Sequence, residues 1–231
     1  MNPDLIKLIK NYPIDKQYQE ILKKKTIVSI SGPTSSGKDT LINQVLNDPK
    51  FVKIKTYTTR KPRQLVDNID DTNYFFIDFE IAKNMILQKQ FLEVAIVHNN
   101  IYGTTYNQFD DAFKSRDIPI LNIDVQGVLK YRNICNKLIS FFLLPPNFRV
   151  LLDRYFNRQT NPSDLKTRLN TSLYELEVVL KSDWFYQIVS DDLEASVQEF
   201  KSILQQKRTR REYPNLIKEL ITDIQKYLRY N

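Results

Sequence analysis

The sequence has little glycine, little sulfur and almost no histidine. One histidine and one cysteine, Cys135, among 231 residues leave no zinc constellation and no internal disulfide. A lone cysteine suits a reducing compartment, so a cytoplasmic location is expected. No apolar run approaches the ~18 residues that cross a bilayer, so no membrane association is expected. Residues 1–20 mix Asp4, Asp15 and Glu20 with lysines, which fits neither a signal peptide nor an acid-poor transit peptide. Glycine occurs only four times, as Gly32, Gly37, Gly103 and Gly127. All four sit in the motifs discussed below, which raises the specificity of each.

What is present describes a globular chain with enough apolar residues for a sizeable core: 42% are hydrophobic and 26% charged. The net charge of +7 favours phosphate-bearing ligands. It is uneven: residues 207–231 carry seven basic and three acidic side chains, so +4 of it lies in the tail. No recognition motif accompanies that charge, so nucleic acid is not an expected partner. The chain is expected to be a monomer or a homodimer.

Hydrophobic periodicity divides the chain into alternating strands and helices. Short helices over residues 4–22, interrupted at Pro13, precede a β-rich run, Thr26–Ser31. A glycine-bounded loop, Gly32–Gly37, leads into a helix over Thr40–Leu46. Strands are expected at Ile54–Tyr57, Tyr74–Ile77, Phe91–Val97 and Ile101–Thr104, with a helix at Phe79–Gln88. Buried parallel strands are expected at Ile118–Ile123 and Leu138–Leu144. Each is followed by a helix, Val125–Arg132 and Asn147–Phe156. The longer helix Leu165–Lys181, a last strand Phe185–Val189 and the helix Leu193–Gln206 complete the pattern. This alternation predicts an α/β fold with a parallel sheet flanked by helices. The denser short strands over 54–104 predict an insert of more antiparallel character. In the tail, Leu216, Leu220, Ile221, Ile224 and Leu228 share one helical face over Asn215–Arg229, which needs cover from its own domain or a dimer mate.

The segment Gly32-Pro33-Thr34-Ser35-Ser36-Gly37-Lys38 has the spacing of a phosphate-binding loop. A polyphosphate is large and anionic, so several backbone N–H groups must point inward with side chains out of the way. The following helix N-terminus adds partial positive charge, and Lys38 places a full one on the β- and γ-phosphates of ATP. After the lysine, a Ser or Thr hydroxyl for Mg²⁺ is usual. Here Asp39 stands in that place, itself a hard oxygen ligand, and Thr40 follows.

A second group is Thr56-Tyr-Thr-Thr-Arg60-Lys-Pro-Arg63. Two arginines three apart across a proline form a clamp whose forks match phosphate oxygens. The hydroxyls of Tyr74 and Tyr102 can donate to the same anion. Glu93, set in Phe-Leu-Glu-Val, can accept from two adjacent donors such as N1–H and the 2-amino group of guanine, a pair adenine does not offer. Asp124 stands at the end of the buried strand Ile118–Ile123, where ligands of open α/β sheets bind. It can serve Mg²⁺ or cap the helix from Val125. Arg154, Arg158 and Arg168 surround the polar stretch 157–164, a place for a lid that closes over ATP.

On these residues the chain resembles guanylate kinases from about Thr26 to Gln206. The resemblance rests on the phosphate loop, Tyr-Thr-Thr-Arg-Lys-Pro-Arg, Phe-Leu-Glu, Tyr-Gly-Thr, Ile-Asp-Val-Gln-Gly, Leu-Leu-Pro-Pro and Asp-Asp-Leu, in that order. It implies a P-loop nucleoside-monophosphate kinase that makes ADP and GDP from ATP and GMP, or dGMP, with Mg²⁺. The implied organisation is an N-terminal helical extension (1–25), a kinase-like domain (26–206) and a basic C-terminal extension (207–231). Within the domain, a core (26–53, 115–152, 165–206) carries a mixed GMP-binding insert (54–114) and a small lid (153–164). The resemblance assigns Thr56, Glu93 and Thr104 to guanine, and Arg60, Arg63, Tyr74 and Tyr102 to the GMP phosphate. Residues 32–40 would hold ATP, with Lys38, Arg158 and Arg168 on the transferring group and Asp124 with Asp39 at the metal. Four positions depart from the family pattern: Asp39 replaces Ser, Thr56 replaces Ser, Asn122 stands in place of an acid, and Ser190 in place of Asn. The stretch between Arg158 and Arg168 is one residue short.

Two other readings fit parts of the pattern. A ribose 1,5-bisphosphate phosphokinase-like enzyme would explain Asp39, but not Glu93 or the Asp-Val-Gln-Gly motif. A non-catalytic guanylate-kinase-like module binding phosphorylated protein would use Arg60, Arg63, Tyr74 and Tyr102, but would not need Lys38 and the two glycines, Gly32 and Gly37, that precede it.

Overall fold

Residues 3–62, 74–97, 99–115, 117–157, 164–206 and 210–230 are described by a computed structural model. The chain forms two compact units. One comprises 1–26, 49–121 and 134–137, the other 27–48, 122–133 and 138–231. No helix among the described residues is long and apolar enough to cross a membrane.

The second unit is built on three neighbouring strands, β1 (Thr26–Ser31), β8 (Lys137–Leu144) and β9 (Tyr186–Val189), in the order β1-β8-β9. β1 and β8 are rich in β-branched and apolar residues because both faces are covered; residues 27–31 and 140–144 are all buried. β8 and β9 run parallel, with Phe141 beside Tyr186 and Leu144 beside Val189. The serines of these strands are hydrogen-bonded: the Ser29 hydroxyl donates to that of Ser140 at 2.9 Å, and the Ser31 hydroxyl to the Phe141 carbonyl at 3.2 Å. Around the strands lie α3 (Lys38–Val45), α6 (Val125–Arg132), α7 (Phe148–Asn157), α8 (Leu165–Leu180), α9 (Leu193–Leu204) and α10 (Pro214–Tyr230).

The tail helix α10 packs against α8 and α7 of its own unit. It buries Ile217, Leu220 and Ile224, with Leu216, Ile221 and Leu228 partly buried at the edges. The apolar stripe seen in the sequence is therefore covered intramolecularly. Each fully buried aliphatic side chain contributes roughly 1.5–3 kcal/mol.

The first unit holds the parallel pair β2 (Phe51–Ile54) and β7 (Ile118–Asn122), and a four-stranded mixed sheet. That sheet is ordered β4 (Tyr74–Phe76), β3 (Thr56–Thr58), β6 (Asn100–Thr105), β5 (Phe91–Val97). Its helices are α1 (Pro3–Lys10), α2 (Lys16–Lys24), α4 (Phe79–Leu87) and α5 (Tyr106–Lys114). Two expectations need correction. The single strand Ile54–Tyr57 is two strands in two sheets, separated by Lys55; a short apolar alternation cannot reveal that its pairing partner changes. Helix α5 was not anticipated, because only Phe109 and Ala112 are buried on it. Its start is a capping box, in which Gln108 accepts from the backbone N–H of Thr105 at 3.1 Å, and Thr-x-x-Gln was readable in the sequence.

Register sorts the mixed sheet into two faces. Tyr74 lies beside Thr56, Tyr102 beside Thr58, and Glu93 beside Thr104, so these six residues share one face. Tyr57, Phe75, Ile101, Gly103 and Val94 take the other. There Ala82 and Ile86 of α4 and Leu5 and Ile9 of α1 join Phe91, Val94 and Ile101 in a buried cluster.

Candidate functional site

In the second unit, the chain leaves β1 and turns at once into the phosphate loop. Gly32 has φ +148°, and a Cβ there would lie 2.4 Å from the Leu143 carbonyl oxygen. Only glycine lets the loop begin so close to β8. Gly37, at φ +91°, caps α3. That helix begins at Lys38, two residues earlier than the sequence suggested, so its N–H groups and dipole start at the loop itself. Between the glycines, Ser35 also takes a positive φ of 58° and the Ser36 Oγ is buried with no partner among the described residues. A buried hydroxyl in that position is suited to an incoming oxyanion. The Lys38 Nζ curls over the loop and donates to the carbonyls of Gly32 at 2.6 Å and Pro33 at 2.9 Å.

Two positions that depart from the family pattern are partners. Asn122 Nδ2, at the end of β7, donates to Asp39 Oδ1 at 2.8 Å. An acid at 122 would set two carboxylates against each other, whereas the amide lends a donor. Asp124 caps α6, its Oδ1 accepting from the Gly127 N–H at 2.7 Å.

Glu175, on α8, was not singled out in the sequence. It is buried, and burial pushes its carboxyl up to about 8. The Lys38 ammonium opposes that shift, the Asp124 carboxylate adds to it, and a hydrogen bond from the Val125 N–H opposes it. Its spacing was a signal: Leu165, Leu169, Ser172, Leu176 and Val179 make the buried stripe of α8, and Glu175 lies on it. Ser172 ties the same helix to the loop. It accepts from the Thr34 N–H at 3.3 Å and donates to the Arg168 carbonyl at 2.9 Å. Arg168 lies 3.8 Å from Asp164, and its Nε is buried without a partner among the described residues. Arg154, grouped with the lid in the sequence, instead grips Ser190, donating to its hydroxyl at 3.1 Å and its carbonyl at 2.7 Å. These two residues, with Gly37, Thr40, Asn157 and Asp191, line a cavity of about 350 Å³ beside the loop. Arg158 lies outside the described residues.

Hard oxygen donors fit Mg²⁺, and Asp39 and Asp124 supply them. Among the described residues, no three His, Cys, Asp or Glu side chains gather as a metal cage.

In the first unit, the shared face of the mixed sheet carries the second cluster. Thr104 is buried and its hydroxyl donates to Glu93 Oε1 at 3.3 Å. The Arg60 guanidinium sits 5.1 Å from the Tyr74 ring centre and 5.2 Å from that of Phe76. Tyr74 and Tyr102 meet edge to face at 6.2 Å. Thr56 stands beside Tyr74 in register. A guanidinium, two phenols, two threonine hydroxyls and a carboxylate thus converge on one surface, suited to a phosphate at one end and a base with paired donors at the other. Arg63 lies outside the described residues.

Glu93 reaches that face because of an irregularity. Phe91 pairs with Thr105 and Glu93 with Thr104, so the strand bulges between them. In a regular strand, residues two apart share a face. Here Phe91 turns to the apolar side, where its ring would be 2.6 Å from a Cβ on Gly103, and Glu93 turns to the polar side.

Residues 23–207 match the protein family described as guanylate kinase. The chain is 34% identical over 181 residues to a guanylate kinase of Clostridium perfringens (strain 13 / Type A), covering 77% of this chain and 82% of that one. It is 29% identical over 201 residues to a guanylate kinase of Clostridioides difficile (strain 630), covering 86% and 96%. A crystal structure of guanylate kinase from Anaplasma phagocytophilum superposes with a TM-score of 0.62 at 24% identity, covering 82% of this chain and 88% of that one. That likeness carries the fold.

Proposed function

The chain belongs to the guanylate kinase family, and from that premise we propose how its residues divide the work of moving the γ-phosphoryl group of ATP to GMP. The protein is a nucleoside-monophosphate kinase of the α/β P-loop type. The observation that carries the assignment of substrate is the Glu93–Thr104 pair beside Arg60 and Tyr74 on one sheet face.

In this reading, the N–H groups of residues 32–40 and the Ser36 hydroxyl bind the phosphates of ATP. Lys38 exchanges its carbonyl partners for phosphate oxygens. The cavity at Arg154 and Ser190 takes the adenine. Glu93 accepts from N1–H and the 2-amino group of guanine, steadied by Thr104, with Thr56 beside them. Arg60, Tyr74 and Tyr102, joined by Arg63, hold the GMP phosphate. Arg158 and Arg168 neutralise charge on the transferring group. Asp39 and Asp124 would hold Mg²⁺, which when bound neutralises charge on the phosphate oxygens. No side chain acts as a covalent nucleophile; positioning and charge neutralisation carry the rate. A cytoplasmic location fits these substrates.

A coupled ADP-release assay with Mg-ATP across AMP, CMP, UMP and GMP tests the reading. Turnover is expected with GMP, and to a lesser degree dGMP, but not AMP. Lys38→Ala is expected to lower kcat by about 10²- to 10³-fold. GMP turnover no greater than that of Lys38→Ala would overturn the assignment.

A further inference from the structure

The N-terminal arm, α1 and the turn after it, lies before residues 23–207 that match the family, yet it packs on β5, the edge strand of the mixed sheet. Its contact is not only apolar. The turns Asn11 N–H to Lys7 O and Tyr12 N–H to Ile9 O end the helix and set Tyr12 against the sheet. The Phe91 backbone N–H donates to the Tyr12 hydroxyl at 3.2 Å. Phe91 opens the bulge, and the bulge is what turns Glu93 to the polar face. From Tyr12 Oη, two residues of β5 lead to the carboxylate that reads guanine.

We propose that Tyr12 is a specificity-positioning residue, holding the β5 bulge so that Glu93 faces the base. The inference rests on the guanine-binding role of Glu93 given above. Three observations support it. Leu5 and Ile9 are buried in the same cluster as Phe91, so the arm is seated where the bulge forms. The Phe91 ring is confined on its other sides by Tyr57, at 6.1 Å between centres, and by Gly103. Burial also pushes the Tyr12 hydroxyl up to about 12, so the group keeps its proton throughout the working range. An edge strand is free to lose a bulge by slipping one residue, and a one-residue slip reverses every side chain. The Tyr12 hydroxyl gives the bulged register a partner that the slipped one lacks. A second anchor steadies the arm: the Tyr18 hydroxyl of α2 donates to Asp110 Oδ1 at 2.8 Å on α5.

The test compares GMP with IMP, which keeps N1–H but lacks the 2-amino group. In the full chain, Tyr12→Phe is expected to lower the ratio of kcat/KM for GMP over IMP by about 3- to 10-fold, the value of one hydrogen bond. KM for ATP should stay constant. Ile9→Ala, which loosens the arm and spares the hydroxyl, should lower the ratio less. A structural role alone would lower the melting temperature and leave the ratio unmoved. An unchanged ratio in a folded Tyr12→Phe protein, or an equal rise in KM for ATP, overturns the proposal. Should Tyr12→Phe not fold, an unchanged ratio in Ile9→Ala overturns it. Wild-type protein that does not turn over GMP would overturn the guanine assignment itself, a separate result.

Discussion

In the proposed function, the phosphate loop and the mixed sheet bind a nucleotide in opposite ways. The loop is made of adjacent residues and works mainly through its backbone. Gly32 and Gly37 adopt conformations other residues avoid, and Lys38 follows at once. The sheet face is made of residues scattered from Thr56 to Thr104 and works through side chains. They meet only because three pairings and one bulge place them on one side. A contiguous site tolerates change elsewhere in the fold. A site made by register depends on everything that holds the register, including, in our proposal, an arm outside the family match.

The largest expected effect that separates the two regions is at Glu93. Glu93→Gln replaces an acceptor of two donors with an amide that offers one acceptor oxygen. kcat/KM for GMP should fall about 10- to 100-fold, while KM for ATP holds steady. A matching loss of ATP affinity would erase the division between the regions.

A medium effect belongs to the loop side. Asp39 and Asn122 are hydrogen-bonded, so their substitutions should not add. Asp39→Ser removes the carboxylate that accepts from Asn122, and Asn122→Asp faces two carboxylates. The double variant should recover much of the loss, with a coupling of about 0.5–3 kcal/mol measured by thermal unfolding. Mg²⁺ titration of the same set should show a shifted metal requirement for Asp39→Ser. Strict additivity, with an unshifted Mg²⁺ profile, would mean that the pair is incidental to the metal.

The last effect is read in stability rather than in turnover, as a pH slope. The folded-state carboxyl of Glu175 sits near 8 and the unfolded one near its ordinary value of 4.5, so between these the folded chain holds the extra proton. This group's contribution is therefore full below about pH 4.5 and is lost as pH rises through about 8. Unfolding midpoints of Glu175→Gln, compared with the parent from pH 5 to 8, should show a flatter decline. Identical slopes would place the titration elsewhere.

Much of this was legible in advance. The run from Thr26 to Lys38 announces strand, loop and helix, because hydrophobic run length, glycine placement and a terminal lysine are local facts. The helical stripe of α10 was equally plain, though not what covered it. The limits were of one kind. Nothing local tells that Lys55 separates strands of two sheets, or that a carboxylate on α8 rather than its neighbour Glu177 turns inward. Asp39 and Asn122 could each be seen as departures, but not as one hydrogen bond.

The sequence by itself determined the chemistry available: the curled backbone at Gly32–Gly37, the charge of Lys38, and the carboxylate of Glu93. Only the tertiary structure decided where that chemistry points. Side-chain direction in a strand alternates with every residue, so the bulge between Phe91 and Glu93, with Tyr12 bonded beside it, sets the face on which the carboxylate stands.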